Sequence, residues 1–149
     1  MAVIELRNPQ VLAKADLQDL LKRSVESGVF LAPQGVDSVA DDIFRLVTEP
    51  HQFLLLGAEH GEWKGVIMGY FPSGRMFPYP TIVNFYNEGS RALSREMREY
   101  LLDFIVEHGY TRMLAVNSSG HSDDIWLKGL TPAGANSYIA GSLAMFEIE

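Results

Sequence analysis

The run from Thr81 to Gly109, TIVNFYNEGSRALSREMREYLLDFIVEHG, constrains the fold of this chain more than any other stretch. Thr81 to Tyr86 is β-branched and aromatic, which is the composition of a strand. Asn87-Glu88-Gly89-Ser90 carries turn chemistry. From Leu93 the apolar residues fall at positions 93, 97, 100, 101, 104 and 105, the spacing of one helix face, and Gly109 supplies the stop. In a strand, glycine-containing turn and long helix, the unpaired N–H groups of the first helical turn point at one spot, where an anion such as a phosphate can bind. The alternative is a structural connection that binds nothing.

At 149 residues the chain has the length of one domain, expected to span 1–149, and enough residues for a sizeable core. It is 47% hydrophobic and 21% charged, as soluble globular proteins are. No apolar run approaches the roughly 18 residues of a membrane span, and the N-terminus lacks the pattern of a signal peptide. A cytoplasmic protein with no membrane partner is therefore expected. There are no cysteines, which excludes disulfides, thiolate nucleophiles and cysteine metal sites. A net charge of −7 argues against nucleic acid as a partner, because neutralising phosphates needs a basic face. Neither a P-loop nor a histidine pair with metal-ligand spacing is present. His121 with Asp123 and Asp124 could hold a metal weakly, but acids there also suit the start of a short helix, and no metal site is expected.

The flanking sequence fills in a mixed sheet. Val3 to Leu6 reads as a strand. Ala13, Leu17, Leu20, Leu21 and Val25 then line one helix face, with Asp16, Asp19, Lys22, Arg23 and Glu26 off it. A second helix opens at Asp37 or Ser38 and stops at Pro50. Gln52 to Ala58 is nearly all apolar, as a strand covered on both faces is. It turns at His60-Gly61 into a partner strand from Trp63 to Phe71, an antiparallel hairpin. After Gly109, Arg112 to Val116 is another strand, Asp123 to Gly129 a short helix and Thr131 to Ala135 a loop. One or two strands fill Tyr138 to Ile148. The expected fold class is α/β, a mixed sheet of six or seven strands with helices on both faces, and the strands at Thr81 and Arg112 parallel neighbours.

This order of elements resembles the Gcn5-related N-acetyltransferase superfamily over essentially the whole chain. The resemblance implies that the strand, turn and helix from Thr81 bind the pyrophosphate of acetyl-CoA. The family pattern there is Arg or Gln, two residues, Gly, one residue, then Gly or Ala. In Tyr86-Asn87-Glu88-Gly89-Ser90-Arg91-Ala92, Gly89 matches the first glycine, while Tyr86 and Arg91 depart from the pattern. The cofactor-binding residues it implies are Phe85, Tyr86, Gly89, Ser90, Arg91, Ala92 and, at the end of the next strand, Asn117. Arg91 can pair with phosphate or stand solvated in the first helical turn. Glu88 brings unfavourable charge to a phosphate site unless it points away. A tyrosine that protonates the departing thiolate usually lies four residues before the closing Gly-Phe pair. That pair is Gly129-Leu130 here, and the tyrosine's place is taken by Ile125, which transfers no proton. His121 is the nearest titratable substitute, and Glu62 and Glu88 are the carboxylates near sheet ends that could act as a base.

Two functions from different classes follow. The first is an acyl-CoA-dependent N-acetyltransferase of weak or degenerate activity, taking a small-molecule or peptide amine. The second is a non-catalytic interaction protein of the same fold, with protein partners. The layout is also similar to degenerate acetyltransferase-like domains of tailed phages, which implies a virion setting for the second.

Overall fold

A computed structural model describes residues 2–5, 14–26, 51–72, 79–117, 130–138 and 141–148. The elements are β1 (Ala2–Glu5), α1 (Lys14–Glu26), β2 (Gln52–Glu59), β3 (Glu62–Tyr70), β4 (Thr81–Asn87), α2 (Arg91–Glu107), β5 (Arg112–Asn117), β6 (Leu130–Tyr138) and β7 (Gly141–Ile148). The seven strands form one sheet in the order β1-β2-β3-β4-β5-β7-β6. All neighbours are antiparallel except β4 and β5, which α2 connects and which run parallel, as a helical crossover requires. The helices expected from position 37 to 50 and from 123 to 129, and most of the loop from 73 to 80, lie outside the described residues.

Alternation along the strands divides the core between the two faces of the sheet. Phe53, Leu55, Ile67, Ile82, Phe85, Met113 and Ala115 pack with Leu93, Met97, Leu101, Phe104 and Ile105 of α2. Their neighbours along the strands, Leu54, Leu56, Val66, Met68 and Leu114, are buried on the opposite face. There α1 packs on β3 and contributes Leu20 and Leu21, both fully buried. The helix spacing seen in both sequences thus places one helix on each face. Gly57 and Gly65 let α2 approach closely: a Cβ at Gly57 would lie 2.8 Å from the Met97 sulfur.

The hairpin between β2 and β3 turns at His60 and Gly61, with φ of 54° and 77°, so both central residues are left-handed as a two-residue hairpin turn of this twist demands. At the far end of α2, Gly109 (φ 91°) allows Tyr110 N–H to reach back to Ile105 O at 3.3 Å, which closes the helix.

Two irregularities shape the centre of the sheet. Between Met68 and Gly69 the pairing to β4 slips by one, leaving Val83 as an extra residue, and this is why Ile82 and Phe85 face the same helix. Beyond the slip β4 and β5 part company: their pairing covers Thr81↔Leu114 and Ile82↔Ala115 only. The ends of β4 and β5 nearest Asn87 and Asn117 therefore bound an opening in the sheet.

One expectation is corrected. Thr131 to Ala135 is not a loop but part of β6, paired to β7 from Leu130↔Ile148 to Tyr138↔Gly141. Pro132 and Gly134 suggested a loop because neither suits a central strand. β6 is an edge strand, and its pairing slips between these two residues, so the proline sits where a missing N–H is tolerated.

Candidate functional site

The turn between β4 and α2 is held by its own side chains. Asn87 is the hub. Its Oδ1 accepts from Gly89 N–H at 2.8 Å, and its Nδ2 donates to Ser90 O at 2.9 Å and Ser94 Oγ at 2.7 Å. Ser90 is the N-cap of α2, and its Oγ accepts from Leu93 N–H at 3.2 Å. The first turn of α2 contains no acidic residue, yet the helix start is not without a carboxylate. Glu59, at the end of β2, accepts from Ser90 N–H at 3.1 Å and also from the Ser90 hydroxyl. The Ser90 hydroxyl bond, more than any other influence, holds the Glu59 carboxyl below its ordinary pKa. The amides of Arg91 and Ala92, next along the first turn, have no acceptor among the described residues, and both residues are exposed.

On the α1 face a second network ties the strand end to the first helix. Arg23 Nε donates to both oxygens of Glu88, at 2.8 and 2.7 Å, and Tyr86 Oη donates to Glu88 Oε2 at 2.8 Å. Glu88 N–H bonds Lys64 O at 2.9 Å, at the point where the β2–β3 register slips. Burial alone would raise the Glu88 carboxyl, but the bonds from Arg23 and Tyr86 outweigh it and the pKa is lowered. Burial, then the carboxylate partner, pushes the Tyr86 phenol up to about 12. Glu88 also lines an open cavity of about 730 Å³ between α1 and the β2–β3 hairpin, whose wall includes Asp16, Asp19, Glu62, Arg23 and Lys64.

The expected site residues separate in these surroundings. Gly89, Ser90, Arg91 and Ala92 come together at the helix start, and Asn117 ends β5 across the opening from β4. Phe85 is buried against α2 with the core, so its side chain is not part of the opening. Tyr86 is buried on the other face, engaged with Glu88. Glu88 points away from the helix start, and the arginine that neutralises it is Arg23, not Arg91. Ile125, His121 and Gly129 lie outside the described residues. Sequence reading missed Glu59 and Arg23, because their partners lie 31 and 65 positions away and no local pattern links them.

No protein-family model matches the sequence, and no curated protein sequence matches it. Solved structures do match. An N-acetyltransferase from Staphylococcus aureus Mu50 superposes with a TM-score of 0.70 at 16% identity, over 100% of this chain and 99% of that one. Tetrahymena Gcn5 gives 0.64 at 15% identity, over 100% and 97%. The chain has the fold of the Gcn5-related N-acetyltransferases. An aminoglycoside 6'-N-acetyltransferase complexed with coenzyme A shares that acetyltransferase fold, with a TM-score of 0.68 at 15% identity over 98% of this chain and 95% of that one. At identities of 15–16% the likeness is one of fold. No helix among the described residues is long and apolar enough to cross a membrane.

Proposed function

We propose that the protein is an acyl-CoA-dependent N-acyltransferase with slow turnover, using acetyl-CoA and a cationic amine. The observation that carries the reading is the parting of β4 from β5 directly before the start of α2. Among the described residues the β4–β5 pairing ends at Ile82, and an extended chain with amide groups could add beside β4 beyond that point as a strand does. At the end of that edge, the amides of Arg91 and Ala92 and the Arg91 guanidinium are donors suited to a pyrophosphate. Ser90 and Gly89 shape the turn that presents them, and Asn117 is the last residue of β5 on the other side of the gap. Acyl-CoA, when bound, supplies the thioester.

The cavity beside Glu88 suits the other substrate. Its acids, Asp16, Asp19, Glu62 and Glu88, outnumber Arg23 and Lys64, so it favours a cation. Neither carboxylate expected to act as a base is set up for the task. Glu88 is bound by Arg23 and Tyr86 with its pKa lowered, and Glu62 pairs with Lys64 at 3.0 Å. With Ile125 in the place of the usual proton donor and neither carboxylate set up as a base, the reading leaves proton transfer to water or to His121, and transfer through water alone forfeits the roughly hundred- to ten-thousand-fold that positioned acids and bases supply. The competing reading, a non-catalytic interaction protein, draws support from the turn itself, whose Gly89 and Ser90 amides are already taken by Asn87 and Glu59. The deciding assay follows thioester loss from acetyl-CoA with a panel of amines, for the native protein and for Ile125→Tyr. Slow, amine-dependent turnover accelerated by Ile125→Tyr supports the acyltransferase. No turnover and no acetyl-CoA binding in either protein leaves the interaction protein.

A further inference from the structure

The start of α2 already holds an anion, and it belongs to the chain itself. Glu59 reaches across from the end of β2 to accept from both the N–H and the hydroxyl of Ser90. It stands beside Gly89 so closely that a Cβ built there would lie 3.1 Å from Glu59 Oε1. The first turn of α2 has no acid of its own, so this carboxylate is the charge that complements the helix dipole. A phosphate arriving at the same amides meets a like charge and finds the Ser90 donors occupied.

We infer that Glu59 is a built-in competitor for the anion-binding position at the start of α2, so that the native chain binds the pyrophosphate of coenzyme A only after this carboxylate has been displaced. The inference rests on the proposed cofactor site. Displacement frees the Ser90 N–H and hydroxyl for phosphate, and removes a negative charge from beside it. Glu59 sits at the hairpin tip next to His60 and Gly61, exposed enough to swing out without opening the core. The contact therefore sets the affinity of the site, and a partner or substrate that draws Glu59 away would raise it.

The test is calorimetric titration of coenzyme A into the native protein, Glu59→Gln and Glu59→Ala, with thermal unfolding of each. Gln keeps the length and can still accept from Ser90, but carries no charge. Hydrogen bonds to charged groups and close like charges together justify an expected tightening of roughly tenfold or more in Glu59→Gln. Glu59→Ala is expected to tighten as well, with a lowered unfolding midpoint because the helix start loses its acceptor. Equal affinity in native protein and Glu59→Gln, or weaker binding in the variant, overturns the inference and leaves the cofactor site standing. Saturable binding in none of the three overturns the cofactor site and the inference together.

Discussion

Replacing Gly69 by alanine is expected to destabilise the protein by about 1–2 kcal/mol. Gly69 pairs with Ile82 at the slip in the β3–β4 register. A Cβ there would sit 2.6 Å from the Thr81 carbonyl oxygen and 3.0 Å from Phe53 Cε1. Reaching ordinary contact, which begins near 3.4 Å, requires the carbonyl to retreat by roughly 0.8 Å. It has little room to do so, because Thr81 pairs with Tyr70 on one side and Leu114 on the other. The Phe53 ring is equally confined, with centroids 5.1 Å from both Phe71 and Phe104. Overpacking of this kind costs about 1–3 kcal/mol, and the gain of alanine over glycine in a strand offsets about 0.5–1 of it. For a chain of this size the net loss corresponds to a drop in unfolding midpoint of roughly 2–8 °C. Gly57→Ala is the control: its new Cβ meets side-chain atoms, Met97 Sδ at 2.8 Å and Leu93 Cδ1 at 3.2 Å, rather than a backbone carbonyl, and the loss is expected to be smaller. Thermal and urea unfolding of both variants measure the difference. A Gly69→Ala protein as stable as the native one, or less harmed than Gly57→Ala, would refute the close packing at the slip.

Tyr86→Phe removes one of the bonds that hold Glu88 ionised and is expected to cost about 1 kcal/mol at neutral pH. Because the Glu88 carboxyl is depressed, its contribution is present above the ordinary value of 4.5 and is lost as pH falls through the folded value, so urea titrations of native and variant should converge in acid. On the alkaline side the sign reverses: the unfolded chain ionises Tyr86 near 10 while the folded chain keeps the proton to about 12, so native stability should fall across that window and Tyr86→Phe should lack this component. Arg91→Ala is expected to weaken coenzyme A binding by roughly 1–3 kcal/mol in calorimetry with the unfolding midpoint little changed, because its side chain is exposed.

The parts of the fold legible in the sequence are those governed by local periodicity. The apolar spacing from Leu93 to Ile105 and the β-branched run from Thr81 gave α2 and β4, and the length of the helix between them forced β4 and β5 to be parallel. His60-Gly61 announced the hairpin, though His at a left-handed position is a less common choice than Asn. β6 was misread because the consequence of a proline depends on whether its strand is central or at an edge, which only the assembled sheet decides. The candidate site was half legible. Gly89 to Ala92 could be placed at a helix start from local order, but the residues that govern its charge could not. Glu59 and Arg23 reach the turn from opposite faces through tertiary contacts, and nothing at their own positions signals it.

The most direct measurement is a titration of acetyl-CoA into the isotope-labelled protein followed by backbone amide shifts. The expected result is saturable binding with the largest shifts at Ser90, Arg91 and Ala92, along β4 from Val83 to Asn87, and at Asn117. Saturable binding with shifts confined to other parts of the sheet, or no saturable binding at all, would contradict a cofactor site between β4 and β5 at the start of α2.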